Sequence, residues 1–157
     1  RRSMATALAD SGVEQFTIGY TMPILGTASG FCILAFMQSE KRQLLLDTLL
    51  SSENMNSEEY DQMTIQRELK KVKEDGYAVN IRTRRFTDQT AISVPIINGD
   101  SQIKGALTVR YSTTAYEIDE AIRLFVPSLN DSSAEIASRI DLHIKRQANA
   151  FNSPNKP

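Results

Sequence analysis

The sequence holds one cysteine, one histidine and no long apolar run, and each shortage excludes a class of protein. Cys32 alone cannot close an internal disulfide, which removes the small stapled secreted scaffolds and agrees with a reducing, cytoplasmic setting. The longest apolar stretch, Phe31 to Met37, is far shorter than the ~20 residues a membrane-spanning helix needs, and no signal peptide is visible. With His143 as the only histidine, nucleophilic catalysis lacks its usual base, and a zinc site lacks most of its soft ligands. Gly19, Gly26 and Gly30 are scattered around Pro23 rather than set between a strand and a helix, so no phosphate loop or dinucleotide fingerprint is present. The formal charge of −1 gives no positive field for collecting nucleic-acid backbones. These absences point away from an enzyme, a metal or cofactor protein and a free-standing DNA-binding module.

What is present fits one folded domain over residues 1–157, because 41% apolar and 24% charged residues suffice for a single core. The first residues, Arg1-Arg2-Ser3, include no initiator Met, which suggests a piece of a longer polypeptide. Alternation over Gln15 to Tyr20 predicts a short strand. Thr27-Ala28-Ser29-Gly30 offers a hydroxyl cap and small residues to open a helix into Phe31 to Met37. Ser39 is expected to cap a second helix with Leu44, Leu45, Thr48 and Leu49 along its apolar face, ending near Ser51-Ser52. Ser57 is expected to cap a third, with Ile65, Leu69 and Val72 as its buried stripe and Gly76 as its left-handed stop. Three strands follow, Tyr77 to Thr83, Thr90 to Ile97 and Ile103 to Tyr111, the last two joined by the turn Asn98-Gly99-Asp100 and therefore antiparallel. Helical spacing returns from Ile118 and continues past Pro127, a break or a kink, through Ile136, Ile140 and Ile144. Helices set apart from a largely antiparallel sheet make the class α+β, a two-layer or three-layer sandwich.

Few residues look chemical. His143 continues a helical face, and Cys32 in an apolar helix behaves as a small hydrophobe. Glu58-Glu59 and Asp119-Glu120 sit at helix starts, where the dipole explains them. Lys70, Lys71 and Lys73 suit the carbonyls ending a helix, while Arg82, Arg84 and Arg85 read as surface or as the rim of an anion pocket. In the strand from Ile103, Leu107, Val109 and Tyr111 share one face and Ala106, Thr108 and Arg110 the other. That second face is either solvated or the lining of a ligand cavity, and periodicity alone leaves both open.

Several segments together resemble the C-terminal effector-binding domain of IclR-type bacterial transcription regulators. They are Ile18-Gly19-Tyr20-Thr21-Met22-Pro23-Ile24 with Thr27-Ala28-Ser29-Gly30 and Ile33-Leu34-Ala35-Phe36, Glu68-Leu69 through Asp75-Gly76-Tyr77-Ala78, Ala91-Ile92-Ser93-Val94-Pro95, and Gly105-Ala106-Leu107-Thr108-Val109. The resemblance implies a GAF-like fold and a small metabolite, often carboxylate or aromatic, bound in the domain. It also implies a winged helix-turn-helix on the N-terminal side, outside this sequence, and assembly into dimers or dimers of dimers. The family's cavity positions fall here on Ala28, Ser29, Asn80, Gln89, Ala91, Thr108 and Arg110. Many members carry Cys at the position of Ala91, Ser at those of Thr108 and Arg110, and Arg or Lys at that of Phe31, so the ligand need not be that of a well-known branch. A guanidinium facing a partly dry cavity needs an anionic partner, which makes a carboxylic acid clamped by Arg110 the expected effector, with a hydroxyl contact from Thr108 or Ser29. The competing reading is an oligomerisation or interaction module with no small-molecule ligand.

Overall fold

The computed structural model describes residues 19, 21–51, 61–79 and 89–152, the last three without their side chains. The element order is α1 (Ala28–Phe36), α2 (Ser39–Leu50), α3 (Gln62–Asp75), β1 (Ala78–Val79), β2 (Gln89–Ile97), β3 (Ile103–Ser112) and α4 (Ile118–Asn152). Of the strand expected over Gln15 to Tyr20 only Gly19 is described, in a turn at φ 92°, and the stretch Asn80 to Thr83 of the next strand lies outside the described residues.

Thr27 opens α1 as expected, its Oγ1 accepting the Gly30 N–H at 3.1 Å while its hydroxyl donates to the Pro23 carbonyl at 2.9 Å. Two other caps differ from expectation. Helix α2 has Gln38 at its N-cap with no side-chain bond, and Ser39 is already its first residue. Helix α3 is capped by Asp61, not Ser57: the Asp61 carboxylate takes both the Thr64 N–H and the Thr64 hydroxyl at 2.8 Å. A carboxylate at the cap also answers the positive helix end, which a neutral serine does not. At the far end Gly76 adopts φ 80° and returns its N–H to the Val72 carbonyl, so the stop needs no lysine. Of the three lysines expected to cap it, Lys73 sits over the Phe36 ring and Lys70 pairs with Glu74.

The described strands form an antiparallel sheet in the order β1-β2-β3. The β2–β3 turn is governed by Asn98, whose carbonyl accepts the Ser101 N–H and whose Oδ1 accepts that of Gln102, with Ser101 at φ 59°. Alternation divides the sheet. Ala78, Ala91 and Ala106 belong to a core completed by Leu25, Phe31, Cys32 and Leu34 of the α1 region, Leu46 of α2, and Ile65, Leu69 and Val72 of α3. On the opposite face Ile92, Val109 and Tyr111 meet Ala121, Ile122 and Phe125 of α4. Both sheet faces are therefore covered, a three-layer α+β sandwich.

Helix α3 buries the stripe its spacing implies. In α2 the inward residue is Leu46, 2% exposed, whereas Leu44 is 71% exposed and Leu45 and Leu49 are half-buried. All four leucine positions carry the same hydropathy, so only the docking angle selects among them. Helix α4 runs through Pro127 without ending. The helix is held on both sides of the proline's lost N–H: before it Ala121, Ile122 and Phe125 pack on the sheet, and beyond it Ser133 Oγ donates to the Pro95 carbonyl at 2.6 Å and the Asp141 carboxylate accepts the Gly99 N–H at 2.8 Å.

Candidate functional site

The antiparallel register builds the site from two strands. Ala91 stands opposite Arg110, Ser93 opposite Thr108 and Pro95 opposite Ala106, all on the α1 side of the sheet. The hydroxyls of Ser93 and Thr108 meet at 2.6 Å, and Ser93 is fully buried. Thr108 remains exposed beside it, and Arg110 is half-buried with its Nη1 enclosed. Gln89 starts the same strip, opposite Ser112, and is half-buried. Small residues over β2 and β3 leave room for α1 to settle on the sheet, and Ala28 at its start is buried in the same core as Ala91. Ser29 is half-buried. Of the seven positions implied by the resemblance, the structure packs Ala28 and Ala91 into the core and gathers Thr108, Arg110 and Gln89 on one accessible strip; Asn80 lies outside the described residues.

Sequence reasoning passed over Ser93. Its parity with Ala91 places it on this face, but a serine between Ile92 and Val94 reads as ordinary strand until the register shows which hydroxyl it meets. Arg110 already has an interaction within the chain, so any ligand anion would share or replace it. A hydroxyl pair with one member buried and the other exposed, and a half-enclosed guanidinium beside it, can together hold a group with two acceptor oxygens.

Other groups are built differently. Burial pushes the Cys32 thiol up to about 12, which makes it unreactive packing. His143 is exposed on α4. A cleft of about 310 Å³ between α3 and α4 carries Tyr77, whose hydroxyl is pushed above its ordinary range first by burial and then by Asp75 and Asp119. A second cleft of about 410 Å³ opens between the α1–α2 corner and α3. Of the seven implied positions, none of the six that are described lines either cleft. Among the described residues, no cluster of His, Cys, Asp or Glu is placed to hold a metal, and no helix is long and apolar enough to cross a membrane.

The family model for the C-terminal region of IclR bacterial transcriptional regulators matches residues 12–138. The chain belongs to that family. The C-terminal domain of Escherichia coli KdgR superposes at a TM-score of 0.64 with 20% identity, over 77% of this chain and 73% of that one. An IclR-family regulator from Brucella abortus gives 0.66 at 20% identity, over 80% of this chain and 47% of its own length. The inducer-binding domain of PobR from Acinetobacter, solved as a double mutant with 3-hydroxybenzoic acid, gives 0.64 at 18% identity, over 81% and 74%. This IclR domain spans about half of the longer regulators it matches, 50% of one from Rhodococcus and 47% of the Brucella protein. At such identities the superpositions speak for the fold, which is GAF-like. The chain is thus a transcription-regulator domain of the effector-binding kind.

Proposed function

We propose that this IclR domain senses a small carboxylic acid, with an aromatic body as the favoured type, and that occupancy modulates DNA binding by a winged helix-turn-helix outside this sequence. One observation carries the reading: the strip where half-buried Arg110 lies two residues along β3 from the Ser93–Thr108 hydroxyl pair. A carboxylate there would meet two parallel guanidinium N–H groups, with Thr108 or Ser29 adding a hydroxyl contact. Ala28, Ala91, Asn80 and Gln89 would shape the surroundings. The acid bound by PobR supports the ligand class.

A thermal-shift screen of small aromatic and aliphatic acids tests the reading, since a ligand at 100-fold over its Kd stabilises by ~2.7 kcal/mol. Calorimetry on wild type and Arg110→Ala then decides the clamp. Loss of a charge-assisted bond worth ~1.5 to 3 kcal/mol should weaken the best acid about tenfold or more. Equal affinities, or tighter binding of the acid's amide than of the acid, would refute it.

Self-association is a second element of the proposal, favoured by Leu124, Leu142 and Ile144 exposed along α4. Dimers or dimers of dimers would set two recognition helices on a symmetric operator. Light scattering that finds only the 17.5 kDa monomer at all concentrations would remove it.

A further inference from the structure

The cleft at the α1–α2 corner holds two cations that each make an orienting contact and have no carboxylate partner among the described residues. Arg42 donates from Nη1 to the carbonyls of Leu34 and Met37, both at 3.4 Å, which ties its guanidinium to the end of α1. Lys73, across the cleft on α3, holds its ammonium 4.2 Å over the Phe36 ring. Lys70 lies one turn earlier on α3 and reaches Glu74 at 3.8 Å, with both side chains largely in solvent. Arg42, Lys70 and Lys73 thus stand against Glu74 alone on the cleft wall. Leu69 and Met37 supply apolar surface beside them, and Ser39 a hydroxyl. The start of α2 lies on the same wall, and its dipole adds to a field the cations already set.

We propose that this cleft binds a small phosphomonoester, its phosphate between Arg42 and Lys73 and its organic body against Leu69 and Met37. A dianion matches two uncompensated cations, whereas a monocarboxylate would leave one unanswered. The planar Arg fork and the Lys point charge are the usual pair for phosphate oxygens, and heads already held lose little freedom on binding. The volume, about 410 Å³, exceeds what a bare phosphate fills and falls within the range of metabolite sites, ~300 to 1,000 Å³. The cleft shares no lining residue with the Arg110 strip, so this second ligand stands independently of the carboxylic acid.

The test is titration calorimetry of the 157-residue chain with glycerol phosphate, with inorganic phosphate, and with sodium chloride at matched ionic strength. Glycerol phosphate should bind, inorganic phosphate more weakly, and chloride should give no specific heat. Lys73→Gln should weaken the ester about tenfold, and Lys73 is exposed, so the fold is kept. Arg42→Lys retains a charge on the α1 carbonyls but loses the fork, and should weaken binding severalfold. Arg110→Ala should leave it unchanged. The proposal falls if glycerol phosphate gives no more heat than matched chloride, if Lys73→Gln binds it as wild type does, or if inorganic phosphate binds as tightly as the ester. It also falls if Arg110→Ala abolishes binding that Lys73→Gln spares, which would place the phosphate on the effector strip.

Discussion

Replacing Gly30 with alanine sets two physical effects against each other, and the structure decides the sign. Gly30 is the third residue of α1, and on helix propensity alone alanine should stabilise by up to ~1 kcal/mol. A Cβ at this position, however, would lie 1.8 Å from the Ile24 carbonyl oxygen, 2.5 Å from its carbon and 2.8 Å from its Cα. All three are backbone atoms, so no side chain can swing aside. Either the turn before α1 or the helix itself must move by roughly 1.5 Å to regain ordinary contact. Overpacking of this kind costs ~1 to 3 kcal/mol. Thr27 lies in the same turn and caps the Gly30 N–H, so the movement also endangers a cap worth ~1 kcal/mol. Against the propensity gain, the net effect is a loss of about 2 kcal/mol, or a fall in Tm of about 4 to 8 °C for a domain of this size. Urea unfolding followed by circular dichroism, wild type beside Gly30→Ala and Gly30→Ser, measures it. Ala28 and Ser29 directly precede Gly30, so the variant should also weaken acid binding at the proposed site. A Gly30→Ala protein as stable as wild type would refute the reasoning, because it would show that the turn yields at no cost.

Two further outcomes follow from titratable groups. The Thr64 backbone N–H, and then the Thr64 hydroxyl, hold the Asp61 carboxyl below the usual carboxylate range. A depressed folded pKa gives stability that is fully present above the unfolded value of ~3.9 and lost as pH falls through the folded one. Asp61→Asn keeps an acceptor but cannot titrate, so the wild-type advantage should hold from neutral pH to about pH 5 and shrink in stronger acid; a pH-independent difference would count against it. Cys32, its thiol pushed up to about 12 by burial, should react with a disulfide reagent at pH 8 only as fast as the chain unfolds. Rapid labelling in native buffer, independent of added urea, would contradict that.

The sequence by itself determined what depends on local period. Ile65, Leu69 and Val72 share the buried side of α3, and Thr108 and Arg110 share a face of β3 opposite Val109 and Tyr111, because spacings of 3.6 and 2.0 are properties of the backbone whatever it docks against. Thr27 and Gly76 were legible for the same reason, as each acts within its own turn. Tertiary structure alone decided which of several equivalent residues faces inward or meets a partner. Leu46 rather than Leu45 or Leu49 enters the core, since the α2 leucines differ only in angle. Asp61 rather than Ser57 caps α3 because the helix starts at Gln62, which sets the Asp61 carboxylate on the Thr64 N–H. Helix α4 continues through Pro127 because Ser133 and Asp141 fasten it to the strand end and hairpin beyond, contacts 38 and 42 residues apart in sequence. The pairing of Ser93 with Thr108 beside Arg110 belongs to the same class. Each strand shows which side a residue takes, but only the register set by the Asn98 turn brings those two hydroxyls within 2.6 Å.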